Sequence, residues 1–167
     1  GRGKAGGVRL ADSPQAAEAA AEAILKLTIK GLPVRKVFIC AAAKIAREAY
    51  LSILLDRAVP ALVFIGCAEG GVEIEETARQ TPEKILRLQL PVEPCEARPA
   101  EFYLPLADKL FPGSQSGAAV AGVMARMEKL FRARDCSLVE INPLVLTAGG
   151  SVLALDAKML LDDNALE

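Results

Sequence analysis

Two short runs near the C-terminal end carry polar pairs at strand spacing. Glu140 and Asn142 lie in SLVEINPLVLT, and Asp156 and Lys158 lie in SVLALDAKMLL. Side chains at i and i+2 of a strand share a face, so each pair is presented together. The neighbouring Leu138, Ile141, Leu153 and Leu155 are apolar. Carboxylate and amide oxygens are the hard ligands Mg²⁺ prefers, and Mg²⁺ takes only one or two of them beside waters and substrate phosphates. Asn142 and Asp156 meet that sparse requirement if the register of the two strands makes their polar faces coincide. A plain hairpin with one solvated face is the competing reading of the same spacing.

Three other groups of residues invite a chemical reading. The sequence begins GRGKAGGV. Backbone N–H groups in a glycine-rich turn can point at phosphate oxygens, and Arg2 and Lys4 add positive charge. The spacing is nevertheless neither that of a dinucleotide-binding fingerprint nor that of a P-loop. Glu48 in REAYL offers a carboxylate that can accept hydrogen bonds from ribose hydroxyls, or it is simply a surface acid. Glu69, Glu73, Glu75 and Glu76 cluster in EGGVEIEE, where acids near a helix start also suit the helix dipole.

Composition narrows the classes. The chain has 167 residues, a formal charge of −1 and no histidine. The absence of histidine excludes a Ser-His-Asp triad, a Cys-His pair and a phosphohistidine carried on these residues. Near-neutral charge and the lack of tryptophan give no support to nucleic-acid binding, and no apolar run is long enough to cross a bilayer. Cys40, Cys67, Cys95 and Cys136 are widely spaced and read as reduced, small apolar residues. A soluble protein of a reducing compartment is expected.

The elements that must position these residues follow from periodicity. Val8–Leu10 reads as a short strand. A helix follows, capped by Asp12 or Ser13, with Pro14 in its first turn, one stripe formed by Ala16, Ala19, Ala20, Ala23, Ile24 and Leu27, and its exit at Gly31. VRKVFICAAA, residues 34–43, reads as an apolar strand. AREAYLSILLD is assigned as a strand paired with Ala61–Ala68 through a turn at Asp56, Arg57 and Pro60. A short helix is expected over Val72–Gln80, a strand in EKILRLQLP, and one short helix near Ala100–Leu110 in a proline-rich loop. The clearest helix starts after Ser114 or Ser116, with Ala119, Val123, Met127 and Leu130 on one face. The terminal hairpin closes at Ala148–Gly150. The expected class is α+β, a mostly antiparallel sheet with helices packed on one face.

The order of GRGKAGGV, IAREAYL, EGGVEIEETA, EINPLVLT and LALDAKMLLDDNAL resembles the β subunits of the succinyl-CoA synthetase and malate–CoA ligase family. The resemblance spans essentially the whole chain and is strongest at its ends. It implies an ATP-grasp lobe. It also implies that residues 1–167 are a partial ATP-grasp domain, an excised piece lacking most of the first lobe and the C-terminal CoA-ligase domain. Position by position, it implies that Gly1, Arg2, Gly3 and Glu48 contact the nucleotide and that Asn142 and Asp156 ligate Mg²⁺. It implies that Glu140 lies where a phosphorylated histidine docks. That histidine belongs to the family's α subunit, the implied partner. ATP or GTP is the implied nucleotide, succinate or malate the implied acid, and the bacterial cytoplasm or the mitochondrial matrix the implied compartment.

One stretch departs from the family pattern. Where the family usually has VEAATDIAKELYLG, this chain has ICAAAKIAREAYLS. Cys40 replaces a nucleotide-contacting glutamate, Ala43 a threonine and Lys44 an acid. A lost hydrogen bond to a charged group is worth about 1.5–3 kcal/mol, so nucleotide recognition is expected to be weakened or re-tuned. This leaves a second expectation, a non-catalytic ATP-grasp module for nucleotide sensing or subunit contact.

Overall fold

The computed structural model describes residues 5–56, 58, 61–91 and 98–165. The chain divides into two compact units, Gly1–Ala43 and Lys44–Glu167.

In the first unit, α1 spans Pro14–Leu25. The Ser13 hydroxyl accepts the Ala16 N–H at 3.2 Å, and Pro14 occupies the first turn, where its missing N–H is not needed. The helix ends at Leu25, not near Gly31. The reason is a two-residue hairpin, β1 (Thr28–Ile29) with β2 (Leu32–Pro33). Its turn residues Lys30 and Gly31 both have positive φ, 54° and 78°, the conformation that two-residue hairpin turns demand. Ile24 alone of the expected apolar stripe is buried. Two expected strands do not form. Val8–Leu10 is irregular, and so are residues 34–43. Phe38 is 88% exposed and Ile39 66%. Strand-type composition makes a strand only where a neighbour takes up its backbone groups and its faces.

The second unit is a six-stranded antiparallel sheet. Its strands are β3 (Ile45–Asp56), β4 (Ala61–Cys67), β5 (Leu86–Pro91), β6 (Cys136–Thr147), β7 (Val152–Ala154) and β8 (Ala157–Leu161). They are ordered β5-β4-β3-β6-β7, with β8 also paired to β6. The expected pairing of AREAYLSILLD with the ALVFIGC strand is found, in a register running from Tyr50 opposite Cys67 to Asp56 opposite Ala61. The Asp56 carboxylate accepts the Ala58 N–H at 2.9 Å, an Asx-type turn that ends β3. Arg57 and Pro60 of the expected turn lie outside the described residues.

The helices are α2 (Ile74–Gln80), α3 (Leu104–Leu110) and α4 (Gly117–Ala133). α2 begins two residues later than expected. Buried residues of α3 and α4 join one face of the sheet in a single core: Leu106, Leu110, Val120, Met124 and Phe131 with Leu51, Ile53, Phe64, Ile141 and Leu144. Phe64 and Tyr103 meet edge to face at 5.7 Å. On α4 the buried stripe is Val120, Ala121, Met124, Met127 and Phe131. The expected face is thus rotated: Met127 belongs to it, Val123 and Leu130 pack at its margin, and Ala119 is exposed.

α4 also buries Glu128, 5% exposed. Its carboxylate accepts hydrogen bonds from the Tyr103 hydroxyl and the Arg98 guanidinium and pairs with Arg132 at 2.8 Å. Burial alone drives a carboxyl upward, but these three donors hold Glu128 below its ordinary value. Among the described residues, no helix is long and apolar enough to cross a membrane.

Candidate functional site

The terminal hairpin keeps one register from Leu138 to Leu146, after a shift between Cys136 and Leu138. Glu140 pairs with Lys158 and Ile141 with Ala157, then Leu144 with Ala154 and Val145 with Leu153. Each pair sums to the same number, so Asn142 stands opposite Asp156 in the gap between β7 and β8. The Asn142 N–H donates to the Asp156 carbonyl at 3.2 Å, and the Leu155 N–H to the Pro143 carbonyl, also at 3.2 Å. Directly opposed residues of neighbouring strands share a face. The register therefore puts Asn142 and Asp156 on the side of the sheet that carries Glu140 and Lys158. The second strand of the hairpin is split at Leu155–Asp156 rather than continuous.

On its other side β6 faces β3, and there the register shifts. Ala49 pairs with Leu144 but Leu51 with Ile141, so β6 holds one extra residue at Asn142–Pro143. Proline removes a ladder N–H and is tolerated in a sheet interior at such a bulge. The bulge explains why Ile141 and Leu144, three residues apart, both enter the core.

The Asn142 side chain is held by the loop after β4. Its Oδ1 accepts the Gly71 N–H at 2.8 Å, and its Nδ2 donates to the Val72 carbonyl at 3.0 Å. The two bonds fix which end of the amide is oxygen, because the flipped amide opposes donor to donor and acceptor to acceptor. One lone pair of Oδ1 is used by Gly71, and an amide oxygen has two.

Glu48 reaches the same loop from β3. A Cβ at Gly71 lies 3.1 Å from its Oε2, and a Cβ at Gly70 lies 2.7 Å from the Ala49 backbone nitrogen. Gly70 thus packs flat against Glu48–Ala49, where a Cβ collides with backbone, while a Cβ at Gly71, whose φ is 67°, presses on the tip of Glu48. The Glu48 carboxylate and the Asn142 amide flank one residue, Gly71.

Glu140 is half-buried, two positions from Asn142. Its Oε2 accepts the Tyr50 hydroxyl at 2.9 Å, and Ser52 and Lys158 are its neighbours across the two adjoining strands. Burial pushes the Tyr50 hydroxyl well above the ordinary tyrosine range; Ser52 pulls it down and the Glu140 carboxylate adds to the rise.

The structure thus brings Glu48, Asn142, Asp156 and Glu140 onto neighbouring positions of β3, β6 and the β7–β8 junction. Gly1, Arg2 and Gly3 lie outside the described residues. Cys40 and Ala43 belong to the first unit, where Cys40 is exposed. Sequence reasoning missed Tyr50 and the Gly70–Val72 clasp. The glycine pair was visible, but its partner lies 71 positions away.

The donor set suits a hard cation. Among the described residues, no three Cys, Asp or Glu side chains gather closely enough to hold a metal by themselves. Asn142 Oδ1 and the exposed Asp156 carboxylate offer the one or two protein oxygens that Mg²⁺ accepts beside substrate phosphates. A cleft of about 860 Å³ opens elsewhere, among Leu55, Tyr103, Phe131 and Cys136, and none of the candidate residues lines it.

Comparison with known proteins gives a family and a fold. Residues 1–146 match the ATP-grasp domain. The chain is 43% identical over 166 residues to the succinate–CoA ligase [ADP-forming] subunit beta of Bacteroides thetaiotaomicron, covering 99% of this chain and 44% of the relative. It is 46% identical over 172 residues to the subunit of the same name from Chloroflexus aurantiacus, covering 99% of this chain and 43% of the relative. It is 44% identical over 170 residues to the succinate–CoA ligase [GDP-forming] subunit beta of Thermus thermophilus, again covering 99% and 43%. The chain therefore spans less than half the length of these curated relatives. Among solved structures, it superimposes with a TM-score of 0.59 on a dinucleotide-forming acetyl-coenzyme A synthetase 1 of Ca. Korarchaeum cryptofilum in complex with coenzyme A and Mg-AMPPCP, at 18% identity, covering 97% of this chain and 71% of that one. It superimposes with a TM-score of 0.58 on ATP citrate lyase from Methanothrix soehngenii, at 19% identity, covering 90% and 33%. At such identities the likeness is one of fold.

Proposed function

The chain belongs to the ATP-grasp family, and from that premise we propose that it is the nucleotide- and Mg²⁺-binding part of an NDP-forming acid–CoA ligase of the succinate–CoA ligase kind. In this reading phosphate moves between a nucleoside triphosphate, ATP or GTP, and a phosphohistidine on a partner α subunit. The bacterial relatives favour a bacterial cytoplasmic setting.

The observation that carries the reading is the register of Asn142 opposite Asp156, with Asn142 clasped to Gly71 and Val72. Asn142 Oδ1 and the Asp156 carboxylate would hold Mg²⁺, which neutralises charge on nucleotide phosphate oxygens when bound. Gly1, Arg2 and Gly3 would meet the phosphates through backbone N–H groups and a guanidinium. Glu48, steadied by the glycine pair, would accept hydrogen bonds from the nucleotide. Glu140 would accept an imidazole N–H of the incoming histidine and so turn the other ring nitrogen toward the phosphoryl group. Phosphoryl transfer through a loose transition state needs positioning and charge neutralisation more than covalent help, and this set supplies both.

The test is transfer of labelled γ-phosphate from ATP or GTP to the partner's histidine by the full-length, assembled protein. Label on the histidine, lost in Asp156→Ala, is the expected result. Cys40, Ala43 and Lys44 favour a second reading, a nucleotide-sensing module. Nucleotide binding without transfer from either nucleotide would select it.

A further inference from the structure

We propose that Tyr50 is a positioning residue for Glu140: it holds the carboxylate by Oε2 and leaves Oε1 as the oxygen that receives the imidazole. The inference rests on the role given to Glu140 above and adds a residue to it.

Three observations carry it. Tyr50 is 3% exposed, so its ring cannot swing, and its hydroxyl donates to Glu140 Oε2 at 2.9 Å. Oε1 of Glu140 makes no hydrogen bond among the described residues. The bulge at Asn142–Pro143 lies opposite Tyr50 in the β3–β6 register. One extra residue on β6 therefore sets the phase between Tyr50 and the face that bears Glu140 and Asn142. A strand pair without the bulge changes which side chains oppose each other.

The surroundings keep Tyr50 a donor. Buried beside a carboxylate, its hydroxyl stays protonated. Glu75, from the first turn of α2, adds negative charge in the same sense. Ser52, fully buried, lies opposite Glu140 in the register. Its hydroxyl is near enough to bias the Tyr50 hydroxyl but forms no well-made hydrogen bond. Lys158 flanks Glu140 from β8. A glutamate without such a hold has three side-chain torsions to spend among rotamers. One held at a single oxygen presents the other in a narrow range of directions, the preorganisation that positioning catalysis needs.

The test is a double-mutant cycle on the full-length, assembled protein. It reads single-turnover phosphoryl transfer to the partner's histidine and, separately, nucleotide affinity by calorimetry. The proteins are wild type, Tyr50→Phe, Glu140→Gln and the double variant. Removing one charge-assisted hydrogen bond should slow transfer about tenfold in Tyr50→Phe, with nucleotide Kd unchanged. The double variant should be no slower than Glu140→Gln, because Tyr50 acts through Glu140 alone. Wild-type transfer by Tyr50→Phe while Glu140→Gln is impaired overturns this inference and leaves the reading of Glu140 standing. Losses that multiply in the double variant also overturn it, because Tyr50 then acts independently. Wild-type transfer by Glu140→Gln overturns the Glu140 reading itself, and this inference with it.

Discussion

Asn142 and Asp156 stand opposite each other across β6 and the β7–β8 junction, joined by a 3.2 Å backbone hydrogen bond. The same register carries Glu140 and Lys158 two positions along. An amide and a carboxylate thus share a face at the point where β6 bulges and its neighbour breaks.

The clasp on Asn142 makes a local prediction. In Asn142→Ala the Gly71 N–H loses its acceptor and the Val72 carbonyl loses its donor. Both groups border solvent and recover water, so the global loss is about 1 kcal/mol. The Gly71 amide should exchange with deuterium measurably faster than in the wild type, while the core of β3 is unaffected. Unchanged exchange at Gly71 would mean that the clasp does not order the loop.

Gly70 should be intolerant for a different reason. A methyl there meets the Ala49 nitrogen at 2.7 Å and the Ala49 oxygen at 2.9 Å, and backbone cannot yield as a side-chain tip can. Gly70→Ala is predicted to destabilise by about 1–3 kcal/mol and to weaken nucleotide binding through displaced Glu48. Gly113 has φ of 77° and nothing within 4 Å of its Cβ position. Gly113→Ala should lose only the backbone term, about 1–2 kcal/mol, and leave nucleotide affinity alone. Thermal unfolding and calorimetric titration of both variants separate the two effects.

Glu128 predicts an acid limb of stability. Its folded pKa is held below the ordinary glutamate value by Tyr103, Arg132 and Arg98 against the effect of burial. A depressed carboxylate contributes stability that is fully present above its unfolded pKa, about 4.3. That contribution is lost as pH falls through the folded value. Urea midpoints should therefore drop below about pH 4, and Glu128→Gln should flatten that part of the profile. Glu128→Ala takes the shared carboxylate away from Arg98 and Arg132, whose side chains are 12% and 25% exposed. Breaking such a pair from one side costs about 3–5 kcal/mol.

The cysteines should differ in reactivity. Cys40 is exposed, whereas Cys67 and Cys136 are 1% and 6% exposed, and burial, then Asp135, pushes the Cys136 thiol upward. In a Cys95→Ser background, a thiol reagent should label Cys40 in the folded protein and reach the other two only on unfolding. Mass spectrometry of labelled peptides reads the outcome directly.

How far the sequence foretold this arrangement depends on the range of the interactions involved. The β3–β4 pairing and α4 were legible because strand alternation and helical periodicity are local signals. The polar face of the hairpin was legible for the same reason, since Glu140 to Asn142 and Asp156 to Lys158 are each one strand repeat. Residues 34–43 misled because β-branched composition says nothing about whether a neighbouring strand exists. The Asn142–Pro143 bulge and the break at Leu155–Asp156 depend on how three strands fit together. Glu128 was hidden because a charge on a helix normally marks the solvent face, and its partners Arg98 and Tyr103 are 30 and 25 positions away. Tyr50 gave no local signal, because its partner Glu140 lies 90 positions on.

The central claim is that Asn142 and Asp156 together hold a divalent ion against the nucleotide. Its most direct test is calorimetric titration of ATP and GTP into the full-length protein, with Mg²⁺ and with EDTA, for wild type and Asp156→Asn. Wild type should bind at least one nucleotide about tenfold or more tightly with Mg²⁺ than without, and Asp156→Asn should lose that difference while keeping its thermal midpoint. An Asp156→Asn protein with the full Mg²⁺ enhancement, or a wild type whose affinity EDTA leaves unchanged, would contradict the account.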